Sequence, residues 1–282
     1  MYSINKKYLK ISCQKLIFTE NRLMKIFIIT QEDSFVIPRN MQLLADSKFI
    51  NITGACVINS KNSLSEKKGL FIRNFGIVQV VKMGFVVIKD KVLNAVDLLF
   101  GSHLLKHKRS IKAFCTKNQV LFFKQRNVNE RNFIEILGEL NLDLIVSFSA
   151  PAIFKPELLS LPRKGCINLH CSLLPQYSGI LPSFWTLFYD ERETGVTVHY
   201  MDNEIDNGDI LGQKSVEILE SDSMFDIIKR TKIIGGRLMV SVIHDIMTDN
   251  VKLVKNKVNH EKYYSWPTEI DFQNFAKRKN LI

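Results

Sequence analysis

Asn168, His170 and Asp206 are the residues whose types and spacing could carry a reaction. Asn168 and His170 stand two apart in the apolar run Cys166-Ile167-Asn168-Leu169-His170, which reads as a short strand. Residues i and i+2 of a strand point to one face, so the amide and the imidazole project together near the strand's end. Asp206 follows in the polar loop Asn203–Asp209, entered from a second strand pattern, Val196-Thr197-Val198-His199-Tyr200. These three groups suit the transfer of a carbonyl group onto an amine. The carbonyl oxygen gains negative charge in the transition state, and an amide N–H and a protonated imidazole can stabilise it. The attacking amine loses a proton and the leaving nitrogen gains one, a task for imidazole near neutral pH, while a carboxylate would orient the ring and favour its charged form. An Asn and a His near a strand end also serve as hydrogen-bonded structural groups, and spacing alone leaves both roles open.

The wider pattern is more specific. Asn168-x-His170-x-Ser172-Leu173-Leu174-Pro175, then Gly179, then Ile205-Asp206-x-Gly208-Asp209-Ile210 resembles the signature of the folate-dependent formyltransferases. That family includes methionyl-tRNA formyltransferases, glycinamide ribonucleotide formyltransferases and sugar N-formyltransferases. The resemblance spans Met24 to Ser215 and weakens on both sides. It implies a Rossmann-like α/β fold, a mainly parallel sheet with helices on both faces. It implies an N-formyltransferase that moves a formyl group from 10-formyltetrahydrofolate to a primary amine without a metal, with Asn168, His170 and Asp206 as catalytic residues. By the same resemblance the loop Val146–Phe154 lines the pocket for the folate's pteridine ring. Phe148, Ile153 and Phe154 would then form its apolar wall, with Asp206 on the opposite side. Ordinary core packing accounts equally well for each of the three apolar residues.

The elements that must position these groups alternate between strand and helix patterns. Met24 opens a strand, Lys25–Thr30, and a helix is expected over Pro38–Ala45, Pro being favoured at a first helical position. Cys56–Asn59, Ile111–Thr116, Val120–Phe123 and Leu144–Phe148 read as strands. Asn129–Leu140 reads as an amphipathic helix, and Pro156–Leu161 and Ser183–Tyr189 as short ones. Lys67–Phe100 is mostly helical in pattern. Its run Ile77–Ile88 contains Lys82 and ends at Lys89-Asp90-Lys91, short of the roughly 20 apolar residues a membrane span requires. Alternation of this kind points to a parallel sheet with ligands beyond the carboxyl ends of its strands. A short strand Lys214–Ile218, a long helix Ser223–Met247 weakened at Gly235-Gly236, and a helix Ile270–Lys277 close the chain. The expected division is a loose extension over 1–23, a catalytic domain over 24–212 and a mostly helical appendage over 213–282. His199 is expected to be structural, and Asp209 a turn residue.

Composition narrows the class. A chain of 282 residues with 46% hydrophobic residues can hold one large domain with an appendage. Cys13, Cys56, Cys115, Cys166 and Cys171 form neither a disulfide framework nor a zinc pattern, which suits a reduced, cytoplasmic protein. Cys171 beside His170 reads as a tolerated small residue. The net charge of +11 invites a nucleic-acid partner, but the basic residues are dispersed over Lys61–Arg73, His103–Lys117 and Lys252–Lys262 and do not interleave with aromatics.

The acceptor amine is set outside the shared motif. No glycine occurs between Met1 and Gly54, so the phosphate-cradling turn expected of a glycinamide ribonucleotide enzyme is absent after the first strand. Methionyl-tRNA formyltransferases carry a C-terminal barrel and usually an Arg where this chain has Ser178; here a shorter, helical segment follows the motif. A small amine of the nucleotide-linked amino-sugar type is therefore the favoured acceptor, with methionyl-tRNA next. A formyltetrahydrofolate hydrolase or a non-catalytic folate-binding relative is the alternative from another class. Self-association into a homo-oligomer is compatible with the sequence.

Overall fold

The computed structural model describes residues 22–33, 36–59, parts of 84–100, 109–258 and 263–279. Most of the expected extension 1–23 and of the run Ile77–Ile88 lies outside them; the described residues between 84 and 99 are helical. Among the described residues no helix is long and apolar enough to cross a membrane.

Seven strands form one sheet: β1 (Met24–Thr30), β2 (Ile50–Ile58), β3 (Leu121–Gln125), β4 (Leu144–Phe148), β5 (Cys166–His170), β6 (Glu193–Tyr200) and β7 (Ile210–Glu217). Their order is β3-β2-β1-β4-β5-β6-β7. The first five are parallel; β6 adds antiparallel to β5, and β7 antiparallel to β6. This is the mainly parallel, Rossmann-like arrangement expected. Strand order reverses between β1 and β4, the place where such sheets open a crevice at their carboxyl ends.

Side-chain alternation divides the core. Ile26 and Ile28 of β1, Val146 of β4 and Ile167 and Leu169 of β5 pack with α1 (Ile37–Ala45), α2 (Ile111–Asn118) and α6 (Met224–Met247). Phe27, Ile29, Ile145 and Cys166 face the other way, toward α3 (Arg131–Glu139) and α4 (Pro156–Leu159). Because β1 and β4 are buried on both faces, their sequences are continuously apolar. A third cluster joins α5 (Pro182–Phe188) to Phe272 and Phe275 of α7 (Glu269–Lys279).

Three expectations change here. Ile111–Thr116 is helical, not a strand. Its period-two alternation is short, whereas the large buried side chains Ile111, Phe114 and Cys115 are spaced i, i+3, i+4, with Ala113 buried beside them, and the Ser110 hydroxyl caps the helix by accepting from the Ala113 N–H at 3.1 Å. The boundary drawn at 212/213 falls inside β7, and Leu238, Met239, Val242 and Ile243 of α6 belong to the main core, so residues up to Met247 are built into the sheet. The Gly235-Gly236 pair is a contact point, not a weak spot. A Cβ on Gly235 would lie 2.6 Å from Leu169 Cδ2, and one on Gly236 2.3 Å from Asn40 Oδ1.

Asn40 is buried, and its amide donates to the Lys232 carbonyl at 2.8 Å, so it has little room to yield. Gly236→Ala gains about 1 kcal/mol of helix propensity but must displace this side chain. Overpacking of this kind costs about 1–3 kcal/mol. The expected result is a net loss of stability, read as a lower urea midpoint at unchanged slope; a rise would show that α6 can move off Asn40.

Candidate active site

Cys166 packs toward α3 and α4, so Asn168 and His170, on the same face of β5, project to that side where the strand ends. β6 pairs antiparallel to β5 with Asn168 opposite His199. The chain then turns through residues 201–209 and returns as β7, which brings Asp206 back over the end of β5.

Asp206 lies between two imidazoles. Its Oδ2 is 3.3 Å from His170 Nδ1 and accepts the Gly179 N–H at 2.8 Å; its Oδ1 is 3.6 Å from His199 Nε2. The carboxylate is 9% exposed. Burial by itself would raise its pKa, but the charges of His170 and His199, the hydrogen bond from His199 and the Gly179 N–H together bring it down from 3.8 to about 2. Asp206 also has φ of 52°, the left-handed region that costs a side-chain-bearing residue about 1–3 kcal/mol.

The rings are fixed from behind. His170 Nε2 donates to the Tyr177 carbonyl at 2.9 Å, so both ring nitrogens face acceptors. His199 Nδ1 donates to the Tyr200 carbonyl at 2.7 Å. Its Nε2 lies 3.2 Å from the Asn168 amide nitrogen as well as 3.6 Å from Asp206 Oδ1. The contact holds the Asn168 side chain at the cavity that Asn168 lines. The Leu173-Leu174-Pro175 segment is pinned by side chains of β6 and β7. The Thr197 hydroxyl donates to the Ser172 carbonyl at 2.7 Å and accepts from the Leu174 N–H at 3.0 Å, and Gln213 donates to the Leu174 carbonyl at 2.8 Å.

Asn168, His170 and Asp206 thus converge in a cavity of about 630 Å³. Ile153 and Phe154 line one side of it with residues 149–152, while Ile180–Ser183, Tyr263 and Trp266 line another part. Phe148 does not line it. Its side chain, 2% exposed, faces the opposite side of the sheet and packs in the core with Val146 and Ile167, since it shares their alternation. Cys171 also borders the cavity, with desolvation pushing its thiol up, away from the thiolate a nucleophile needs. His199 is the residue the sequence reading left out of the site. Its place depends on strand register, and the only cue in the chain is a His on a strand leading into the Asp206 loop.

A doubly wound sheet with an amide, an imidazole and a carboxylate at its carboxyl edge defines an α/β protein with a site suited to acyl transfer. Residues 87–243 match the Formyl transferase family, and the chain belongs to that family. It is 32% identical over 184 residues to the bifunctional polymyxin resistance protein ArnA of Wigglesworthia glossinidia brevipalpis, covering 65% of this chain and 26% of that protein. It is 33% identical over 174 residues to a methionyl-tRNA formyltransferase of Azobacteroides pseudotrichonymphae genomovar. CFP2, covering 61% of this chain and 51% of the relative. The chain therefore matches about a quarter and about half of these curated relatives' lengths. In fold it resembles an N-formyltransferase from Helicobacter canadensis solved with folinic acid and dTDP-3-aminofucose (TM-score 0.57, 19% identity, 92% of this chain and 81% of that one). It also resembles glycinamide ribonucleotide transformylase 1 from Symbiobacterium toebii (TM-score 0.57, 16% identity, 83% and 95%).

The lowered pKa of Asp206 makes a pH prediction. A folded value near 2 against 3.8 means the carboxylate adds stability that is fully present above pH 3.8 and lost as pH falls through about 2. That difference corresponds to roughly 2 kcal/mol. In urea unfolding of the wild type and Asp206→Asn, the wild-type advantage should hold between pH 7 and 5 and shrink steadily between pH 4 and 2. An advantage independent of pH over that range would contradict the ionised, imidazole-paired state.

Proposed function

We propose that this protein is an N-formyltransferase that moves a formyl group from 10-formyltetrahydrofolate to a primary amine in the cytoplasm. The observation that carries this reading is the meeting of Asn168, His170 and Asp206 in one cavity, in a chain of the Formyl transferase family. The cavity's size is adequate for part of a folate and a small acceptor. Ile153, 57% exposed and next to the buried Phe154, offers an apolar surface for a flat ring, with the Asp206 loop across from it.

In this mechanism the amine nitrogen bonds to the formyl carbon and the folate nitrogen departs. The Asn168 amide N–H and the His170 imidazolium stabilise the charge on the formyl oxygen. The amine loses one proton and the leaving nitrogen gains one: His170, with one ring N–H turned from its protein acceptor to the substrate, gives its proton to the leaving nitrogen and regains one from the amine. Asp206 keeps His170 charged and oriented.

For the acceptor we favour a small amine of the amino-sugar type. Tyr263 and Trp266 present aromatic side chains to the cavity, a surface suited to the apolar face of a sugar ring, and Lys232, paired with Asp33 at 2.6 Å, borders the same space. The Helicobacter canadensis neighbour, solved with dTDP-3-aminofucose, has this fold. Methionyl-tRNA is the second reading, favoured by the sequence identity to methionyl-tRNA formyltransferases and by the net charge of +11.

Incubation with 10-formyltetrahydrofolate and a panel of nucleotide-linked amino sugars and methionyl-tRNA tests the proposal, with formylated product as the readout. Folate turnover without any amine would indicate a hydrolase, and no turnover with any acceptor would remove the enzymatic reading for this panel. With the selected acceptor, Asn168→Ala should lower kcat by about 10²–10³ with little change in folate affinity. Asp206→Asn should be similarly damaging, and the Asn168→Ala/His170→Ala double variant barely worse than the worse single one. Near-normal turnover in Asp206→Asn would make the carboxylate structural.

A further inference from the structure

The residues after α6 return to the site and hold both loops that shape Asp206. Val254 pairs with Ile210 through two backbone hydrogen bonds of 2.8 and 3.0 Å. The Asn256 amide then donates to the Asp206 carbonyl at 2.7 Å and to the Gly208 carbonyl at 3.3 Å, and Lys255 pairs with Asp209 at 2.9 Å. Farther on, Tyr264 adds to the chain beside the site: its N–H donates to the Ser178 carbonyl at 3.0 Å, and its carbonyl accepts the Ile180 N–H at 2.7 Å. Gly179, between those two residues, aims its own N–H at Asp206 Oδ2. With φ of 116° and a would-be Cβ 2.3 Å from the Tyr264 carbonyl oxygen, this position can only be glycine while the segment is docked.

The two grips converge on one carboxylate. Asn256 satisfies the main-chain carbonyl of a residue held in left-handed backbone, and Tyr264 fixes the loop whose N–H donates to the same residue's side chain. Without an outside donor, the Asp206 and Gly208 carbonyls would lose the partner that selects this turn over the lower-energy ordinary backbone conformations. We infer that residues 254–258 and 263–266 are a working part of the active site and that Asn256 is a positioning residue, holding Asp206 in the backbone conformation that aligns its carboxylate with His170. This rests on the proposed role of the Asp206–His170 pair, and the following test separates the two.

In protein labelled with ¹⁵N-histidine, the hydrogen-bonded Nδ1–H of His170 should give a slowly exchanging resonance, assigned by its loss in Asp206→Asn. Asn256→Asp keeps the side chain's size but removes the donor and sets an acceptor against two carbonyls. It should leave the far-UV spectrum intact and folinic-acid affinity within about twofold, while the His170 Nδ1–H exchanges at least about tenfold faster or is lost. If Asn256→Asp does not fold, Asn256→Ala is read the same way. A resonance with wild-type exchange in a folded Asn256 variant overturns the inference alone. Its absence from the wild type overturns the Asp206–His170 pairing and the inference with it.

Discussion

A carboxylate buried to 9% exposure is costly unless charge and hydrogen bonds surround it, and in this protein the surroundings of Asp206 are drawn from most of the fold. His170 comes from the end of a parallel strand, His199 from an antiparallel one, and the Gly179 N–H from the loop that joins β5 to α5. Each partner is held in turn, by the carbonyls of Tyr177 and Tyr200 and by the main chain of Tyr264. The sheet's change from parallel to antiparallel at β5 is what makes this possible. It sets His199 directly opposite Asn168 and returns the next loop across the strand end.

Much of this was legible in the sequence because the governing signals are local. The two-residue spacing of Asn168 and His170 within an apolar run placed them on one face of a strand with the bounds observed for β5, and Ser223 at the head of the long helix caps it as such a residue should. What stayed hidden depends on pairing. The contact of His199 with Asn168 follows from register across two strands. The orientation of Phe148 away from the cavity follows from which face β4 presents to which helices. Ile111–Thr116 misled because six residues can satisfy a two-residue and a helical period at once, and tertiary burial decided between them. The boundary expected at 212/213 falls inside β7 for a related reason: which residues of the long helix α6 pack on the sheet is a matter of tertiary contact.

Two kinds of material line the cavity of this molecule. The groups suited to formyl transfer stand on strand ends and on loops braced by Thr197 and Gln213. The aromatic side chains of Tyr263 and Trp266 come from residues 263–266, whose main chain is hydrogen-bonded to the 178–180 loop and to the Trp185 indole. Main-chain contacts leave side-chain identity open, so this part of the wall can change with little disturbance to the groups on β5 and β6.

The docking of residues 254–258 and 263–266 has a consequence for how the protein is made. Synthesis runs from the amino end, and β1 pairs with β4 only after more than a hundred intervening residues have left the ribosome. Such distant parallel pairing is intrinsically slow. The segment that fixes Gly179 and the Asp206 turn emerges later still, behind every strand of the sheet. The geometry at Asp206 therefore cannot be completed before residues 254–258 and 263–266 have left the ribosome.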